Sequence, residues 1–269
     1  MRTTEKTSLY NDLDKMTSKE LLVNMNKEDH KVADAVEKAI PQIEKLVDGI
    51  VERAKKGGKI FYLGAGTSGR LGVVDASEIP PTYGVKDFFI GLMAGGDSAI
   101  RTAAEGAEDD PNQAWIDMQP YNPTPNDVII GIAASGRTPY VLAALERGRK
   151  EGYLTGCVVC NYGSEIANAC ECPVEVDCGP EFVTGSTRMK SGTAQKLILN
   201  MISTAVMIRL GHVKGNQMVD MALTNIKLVD RGTRMIMGET GITDYEFAKS
   251  LLLKHGQVRA AVDAYNASK

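Results

Sequence analysis

The 269-residue chain is 43% apolar and 24% charged, with 27 glycines and 10 prolines. This is the balance of a globular protein able to bury its own core, and it excludes a disordered, collagen-like or disulfide-dependent chain. A formal charge of −3 gives no broad basic footprint for nucleic acid or an anionic membrane, so an anionic ligand must be held locally.

The opening residues are polar and carry no signal-peptide core, and no apolar run approaches the roughly 18 residues of a spanning helix. A cytoplasmic protein with neither membrane nor nucleic-acid partners is expected. In chain order, the apolar positions Val32, Val36, Ile40, Ile43, Val47, Ile50 and Val51 recur at helical spacing, which predicts a helix from Val32 to Ala54 with a kink at Pro41 and an end at Gly57-Gly58. Short apolar runs then alternate with helical patterns: Ile60 to Leu63, Phe88 to Met93, Val128 to Ala133, Gly156 to Cys160 and Val174 to Val176. Strands alternating with helices predict an α/β fold with a doubly wound parallel sheet. Ser191 to Leu210 reads as a central apolar helix, Met218 to Met237 as a Met-rich core helix, and the remainder as two short helices split near Gly256. The expected organisation is an N-terminal helical segment over 1–57 packing on the core, a sheet domain over 58–211 and a small helical segment over 212–269.

Five cysteines, Cys157, Cys160, Cys170, Cys172 and Cys178, crowd into one stretch. Cys157 and Cys160 are predicted on one strand, where a spacing of three puts them on opposite faces, so they cannot close a zinc knuckle. His30, His212 and His255 are scattered, and free thiols without a metal are expected.

Gly64, Gly66 and Gly69 form a G-x-G-x-x-G spacing between a strand and a helix pattern, the setting of a dinucleotide fingerprint. The second strand, however, ends Leu92-Met93-Ala94-Gly95-Gly96, with Asp97 only beyond the glycines, so the acid that would bind a ribose is misplaced and no nucleotide cofactor is expected. What the loop does offer is Thr67 and Ser68 beside Gly69 at a helix N-terminus, where unpaired backbone amides favour an anion. A second such loop, Ser135-Gly136-Arg137-Thr138 before Pro139, follows the third strand, and the triplet Ser-Gly-Arg occurs in both. Two such loops converge at the strand ends of one sheet and point to a phosphorylated small molecule, although each alone reads equally well as a cap and tight turn. A third cluster, Thr184 to Thr193, brings Ser186 with Arg188 and Lys190 as candidate counter-charges, or simply caps the long helix.

Acidic residues close two predicted helices: Glu78 in Asp75-Ala76-Ser77-Glu78, and Glu105 and Glu108 in Glu105-Gly106-Ala107-Glu108. Carboxylates at helix C-termini oppose the dipole, and such local conflict marks candidate functional positions. Read as helix, Glu105 and Glu108 share one face, and spacing alone does not choose between them.

YLGAGTSGRLGVVDASEIPPTYG, GIAASGRTPYV and VTGSTRMKSGTAQKLILN closely resemble the N-acetylmuramic acid 6-phosphate etherases, and more distantly the glucokinase regulatory protein, which shares their sugar isomerase (SIS) fold. The resemblance runs from about Leu13 to Gly241. It implies a homodimer with sites near the subunit interface, no cofactor, and cleavage of a lactyl ether to N-acetylglucosamine 6-phosphate and D-lactate during recycling of cell-wall peptidoglycan. Through the motifs, Glu78 resembles the acid that protonates departing lactate and Glu108 the base at carbon 2. Read from the three hydroxyl-rich loops, the expected substrate-binding set is Thr67, Ser68, Gly69, Ser135, Gly136, Arg137, Thr138, Ser186 and Lys190, with the phosphate among Ser68, Ser135 and Thr138. Family members usually continue past position 269 with a further helical segment, so a shortened C-terminal unit is expected. A sugar-phosphate sensor without catalysis is the alternative, since it would need the loops but not the carboxylates; a dinucleotide oxidoreductase comes third.

Overall fold

The computed structural model describes residues 2–268. Its helices are α1 (Ser18–Ala54), α2 (Gly66–Ser77), α3 (Ile79–Tyr83), α4 (Ser98–Arg101), α5 (Gln113–Met118), α6 (Pro139–Lys150), α7 (Glu165–Ala169), α8 (Lys190–Arg209), α9 (Ile226–Thr240), α10 (Tyr245–His255) and α11 (Val258–Ala267). The main strands are β1 (Ile60–Gly64), β2 (Phe89–Met93), β3 (Val128–Ala133), β4 (Leu154–Val159) and β5 (Cys172–Glu175), and a short hairpin joins β6 (Val213–Lys214) to β7 (Gln217–Met218).

The chain divides into two compact units. The first runs from the N-terminus to Ala76 and over Phe88–Val206. It holds the five-stranded sheet, whose order is β2-β1-β3-β4-β5 and whose pairings are all parallel. Alternation along the strands sends Phe61, Leu63, Ile129 and Cys157 into one core with Val141, Ala144 and Leu145 of α6. On the other face Gly156 packs against Leu46 of α1, and Gly72 of α2 against Tyr62 and Ile132. From β1 the chain turns one way to β2 and then crosses to β3 on the opposite side. The loops after β1 and β3 therefore part at the switch point where open parallel sheets form their crevice.

α1 begins well before the predicted Val32, because Thr17 and Glu20 make a reciprocal capping box: the Glu20 amide donates to Thr17 Oγ1 at 3.3 Å and the Thr17 amide to Glu20 Oε2 at 2.8 Å. The helix continues through Pro41, and its core face is Val32, Val36, Ile43, Leu46, Val47, Ile50 and Val51. α8 carries the predicted apolar run but is not enclosed all round, since Met201 is exposed.

The second unit takes Ser77–Asp87 together with the chain from Met207 onward. The inserted stretch belongs there because the Ala222 amide donates to Pro81 O at 3.3 Å, and Gly84, at φ 71°, lies so close to Asp220 O that a Cβ would sit 2.2 Å from it. Met221, Leu228, Ile236, Leu252, Val258 and Ala261 form its own core. The helix predicted from Met218 starts only at Ile226, after the hairpin, where the Asn225 side chain accepts from the Leu228 amide at 2.9 Å. The last two helices divide at Gly256 in a left-handed cap, as their pattern predicts.

Candidate active site

At the β1/β3 switch point a cavity of about 540 Å³ opens, the size of a small-molecule site. It is lined by Thr67 and Ser68 from the start of α2, by Ser135, Arg137, Thr138 and Pro139 from the loop into α6, by Gly185 and Thr187, and by Glu5, Glu108 and Asp109. The two hydroxyl loops, distant in sequence, thus face one space. The α2 amides that precede Gly69 have no intrahelical acceptor and lie where an anion gains from the helix dipole, whereas at α6 Pro139 has no amide and the Val141 amide donates to Thr138 O at 3.0 Å, leaving chiefly the dipole.

Gly69 and Gly136 shape these loops without lining the cavity. A Cβ on Gly69 would lie 2.6 Å from Met93 Cβ and 2.7 Å from Gly64 O, so glycine lets α2 start against the sheet. Gly136 has φ 73° and a virtual Cβ 2.3 Å from Ser164 Cβ, a turn that only glycine makes at no steric cost. Asn161 braces the same turn, donating from Nδ2 to Ala134 O at 3.1 Å and Ser135 O at 3.3 Å.

The third hydroxyl cluster contributes Gly185 and Thr187 but neither Ser186 nor Lys190. Lys190 is 1% exposed and its Nζ lies 2.6 Å from Glu28 Oε2 in a buried ion pair. Glu28 also accepts from Lys31 at 2.6 Å and Tyr10 at 3.1 Å. Burial alone would raise the Glu28 pKa, but hydrogen bonds from Lys190 and Lys31 outweigh it and hold the group below its usual value. The N-terminus of α8 is already occupied by the buried Glu181, whose carboxylate accepts from the Lys190 and Ser191 amides, each at 2.9 Å. An anion therefore has the α2 and α6 ends to choose from, not that of α8.

The predicted helix over Glu105 and Glu108 is not formed. α4 stops at Arg101, Thr102 is extended, and Gly106 at φ 71° separates Glu105 from the short turn Ala107–Asp109. The two carboxylates consequently do not share a helical face. Glu108 lines the main cavity and an adjoining one of about 170 Å³, whereas Glu105 lines only the smaller. Arg70, also on the smaller cavity, holds that neighbourhood by donating to Ile100 O at 2.8 Å and Ala99 O at 2.7 Å.

Glu78 follows α2 directly, is exposed and belongs to the second unit. Ahead of it, the buried Asp75 fixes the last turns of α2 by accepting from Asn200 at 2.7 Å and from Ser203 and Tyr62, each at 3.2 Å. Burial raises the Asp75 pKa against the lowering effect of these hydrogen bonds. Besides Asp109, which neighbours Glu108, Glu5 is a cavity residue that sequence reasoning passed over. It stands 4.0 Å from Arg137 and is carried in by its neighbour Thr4, 2% exposed, whose amide donates to Asn161 Oδ1 at 3.2 Å. No periodicity or motif spacing marks Glu5; only the long-range pairing of Thr4 with Asn161 brings it there.

All five cysteines are buried and free. Burial raises the Cys160 thiol and pushes Cys178 up to about 12, so both stay protonated and unreactive near neutrality. Among the described residues no group of three or more His, Cys, Asp or Glu is placed to hold a metal ion. Dialysis against a strong chelator is expected to leave turnover unchanged; a loss restored by added zinc would overturn this reading of the thiols. Among the described residues no helix is long and apolar enough to cross a membrane.

The glucokinase regulatory protein N-terminal SIS domain family matches residues 42–149. Among solved structures, a phosphoheptose isomerase from Neisseria gonorrhoeae superposes with a TM-score of 0.55 at 16% identity, covering 71% of this chain and 98% of its own, which places the sheet domain in the SIS fold. An N-acetylmuramic acid 6-phosphate etherase of Christiangramia forsetii is 61% identical over 97% of this chain and 96% of its own length. One from Bacteroides thetaiotaomicron is 59% identical over 98% and 96%. These two relatives are scarcely longer than this chain. At such identity over nearly the whole length, the chain belongs to the N-acetylmuramic acid 6-phosphate etherase family.

Proposed function

We propose that the protein cleaves the lactyl ether of N-acetylmuramic acid 6-phosphate, releasing D-lactate and N-acetylglucosamine 6-phosphate, by elimination followed by hydration. The observation that carries this reading is the carboxylate of Glu108 in the same cavity as the hydroxyls of Ser68, Ser135 and Thr138. An ether is a poor leaving group, but opening of the sugar ring exposes an aldehyde that acidifies the hydrogen at carbon 2. Glu108 removes that hydrogen, lactate departs from carbon 3 as Glu78 gives it a proton, and water adds to the unsaturated aldehyde. One base and one acid suffice. The assignment of Glu108 is supported by its lining both cavities, and that of Glu78 by the family motif. A pure sensor would have no use for a carboxylate beside the anion loops, so the catalytic reading is favoured. The direct test is release of D-lactate from N-acetylmuramic acid 6-phosphate, with the unphosphorylated sugar as control; no lactate from either would reject it.

The phosphate is assigned to Ser68, Ser135 and Thr138, with Thr67 and Arg137 beside them and with Gly69 and Gly136 shaping the turns. Ser135→Ala should weaken substrate affinity by about tenfold, the worth of a hydrogen bond to a charged group, while leaving kcat within a few-fold. Equal affinity in variant and parent would displace the phosphate from this loop. Ser186 and Lys190 act through the segment that carries Gly185 and Thr187 to the cavity. The protein is further proposed to act as a cytoplasmic homodimer in peptidoglycan recycling. The dimer is supported by the family resemblance and by the exposed Val74 and Met201, on the two helices that the Asp75–Asn200 hydrogen bond joins. Free thiols suit a reducing compartment. Light scattering should return about twice the 29.0 kDa chain mass; a monomer at working concentration would reject the dimer.

A further inference from the structure

Behind Ser68 lies a buried amide whose nitrogen has no hydrogen-bond partner. Gln195 of α8 is 1% exposed, and its Oε1 accepts the Ser68 hydroxyl proton at 2.9 Å. Its Nε2 is the buried side-chain polar atom, among the described residues, that has no partner. Leaving a buried donor unpaired forfeits its hydration with nothing in return, so an arrangement retained with one calls for a reason. The bond to Gln195 also points the Ser68 proton away from the cavity, where a phosphate oxygen would need it.

Both features are resolved by one rotation. The terminal torsion of a glutamine is broad and roughly two-fold, so turning the amide over exchanges oxygen and nitrogen with little change of shape. Nε2 then donates to Ser68 Oγ across the same 2.9 Å, and the Ser68 hydroxyl is released to donate to the anion. What is left unpaired is a carbonyl oxygen, which interiors tolerate better than an N–H. We propose that Gln195 is a positioning residue whose side-chain amide turns over on phosphate binding, converting Ser68 from a hydroxyl engaged with the protein into a donor to the ligand. The inference rests on the placement of the phosphate at Ser68 given above. It adds that the anion loop is completed from α8 by a residue that never touches substrate.

The test is binding of N-acetylglucosamine 6-phosphate by calorimetry. Ser68→Ala should weaken binding about tenfold to a hundredfold. Gln195→Met keeps length and burial, removes the unpaired donor and so should fold; it should weaken binding about threefold to tenfold with kcat at saturation retained. Added to Ser68→Ala, Gln195→Met should weaken binding no further, because its effect passes through the missing hydroxyl. Gln195→Glu, an acceptor only when ionised, should lose more than Gln195→Met at pH 8 and recover toward the parent as the pH falls and its carboxyl becomes a donor. The parent measured alongside corrects for the phosphate's own titration near pH 6. Equal weakening by Gln195→Met with and without Ser68, no weakening in either, or a Gln195→Glu deficit that does not change with pH would each overturn the proposal. If Ser68→Ala itself binds as tightly as the parent, it is the phosphate placement that fails.

Discussion

Glu78→Gln should still exchange the carbon 2 hydrogen of the substrate with heavy water while releasing little lactate, and Glu108→Gln should do neither. If Glu108 forms the enolate and Glu78 only protonates the leaving lactate, the first step can run and reverse without the acid. A positioned proton-transfer group contributes about 10²–10⁴ in rate, so lactate release should fall by that order in each variant. Proton exchange by nuclear magnetic resonance and lactate release by a coupled assay separate the steps. Exchange lost in Glu78→Gln but kept in Glu108→Gln would reverse the roles. Full activity in Glu108→Gln would move the base to Glu105, which lines only the smaller cavity.

Lys190→Met should cost stability rather than chemistry. It strands Glu28, whose side chain is 3% exposed, with only the partly exposed Lys31 as a counter-charge. Removing one member of a buried pair costs about 3–5 kcal/mol, with the lower part of that range expected because Lys31 remains. The pH dependence follows from the lowered pKa of Glu28 in the folded parent. Ionisation of Glu28 stabilises the parent above the unfolded-state value near 4.5, and that contribution is lost as the pH falls through the lower folded-state value. In Lys190→Met burial is no longer outweighed, the carboxyl protonates more readily, and the gap to the parent should narrow on acidification. Denaturant melts at pH 7 and pH 4.5 measure both effects. Glu28→Leu combined with Lys190→Met should recover much of the loss, since an apolar pair leaves no stranded charge. A Lys190→Met protein as stable as the parent but unable to bind the sugar phosphate would return Lys190 to the ligand.

The parallel sheet and its two anion loops are legible because they rest on short-range signals: strand runs broken by glycine, and hydroxyls where helices begin. The two Ser-Gly-Arg loops are local sentences, and the cavity reads them together. Lys190 and Glu28 stand 162 residues apart, and nothing near either announces a buried pair. Glu5 is placed by a Thr4–Asn161 bond of similar reach, and Glu181 caps a helix it precedes by nine residues without belonging to any capping pattern. For Glu105 and Glu108 the reason is the opposite: the local pattern reads as continuous helix, and Gly106, with its left-handed backbone, breaks it. Sequence names the residue types the chemistry needs, but long-range pairing decides which of them face the ligand.

The scattered origin of the cavity wall has a kinetic consequence. Glu5, the turn after β1, residues 108–109, the turn after β3, and Gly185 with Thr187 come together across the pairing of β1 with β3 and the intervening excursion to β2. Closing such loops is slow and raises the contact order, and the wall stays incomplete until Gly185 and Thr187 have been made. At about 5–20 residues per second the ribosome must deliver the β5–α8 connection before the wall can close. Ligand binding should therefore be among the last properties acquired in refolding and among the first lost when the sheet loosens, which makes sugar-phosphate affinity a reporter of complete folding rather than of any one loop.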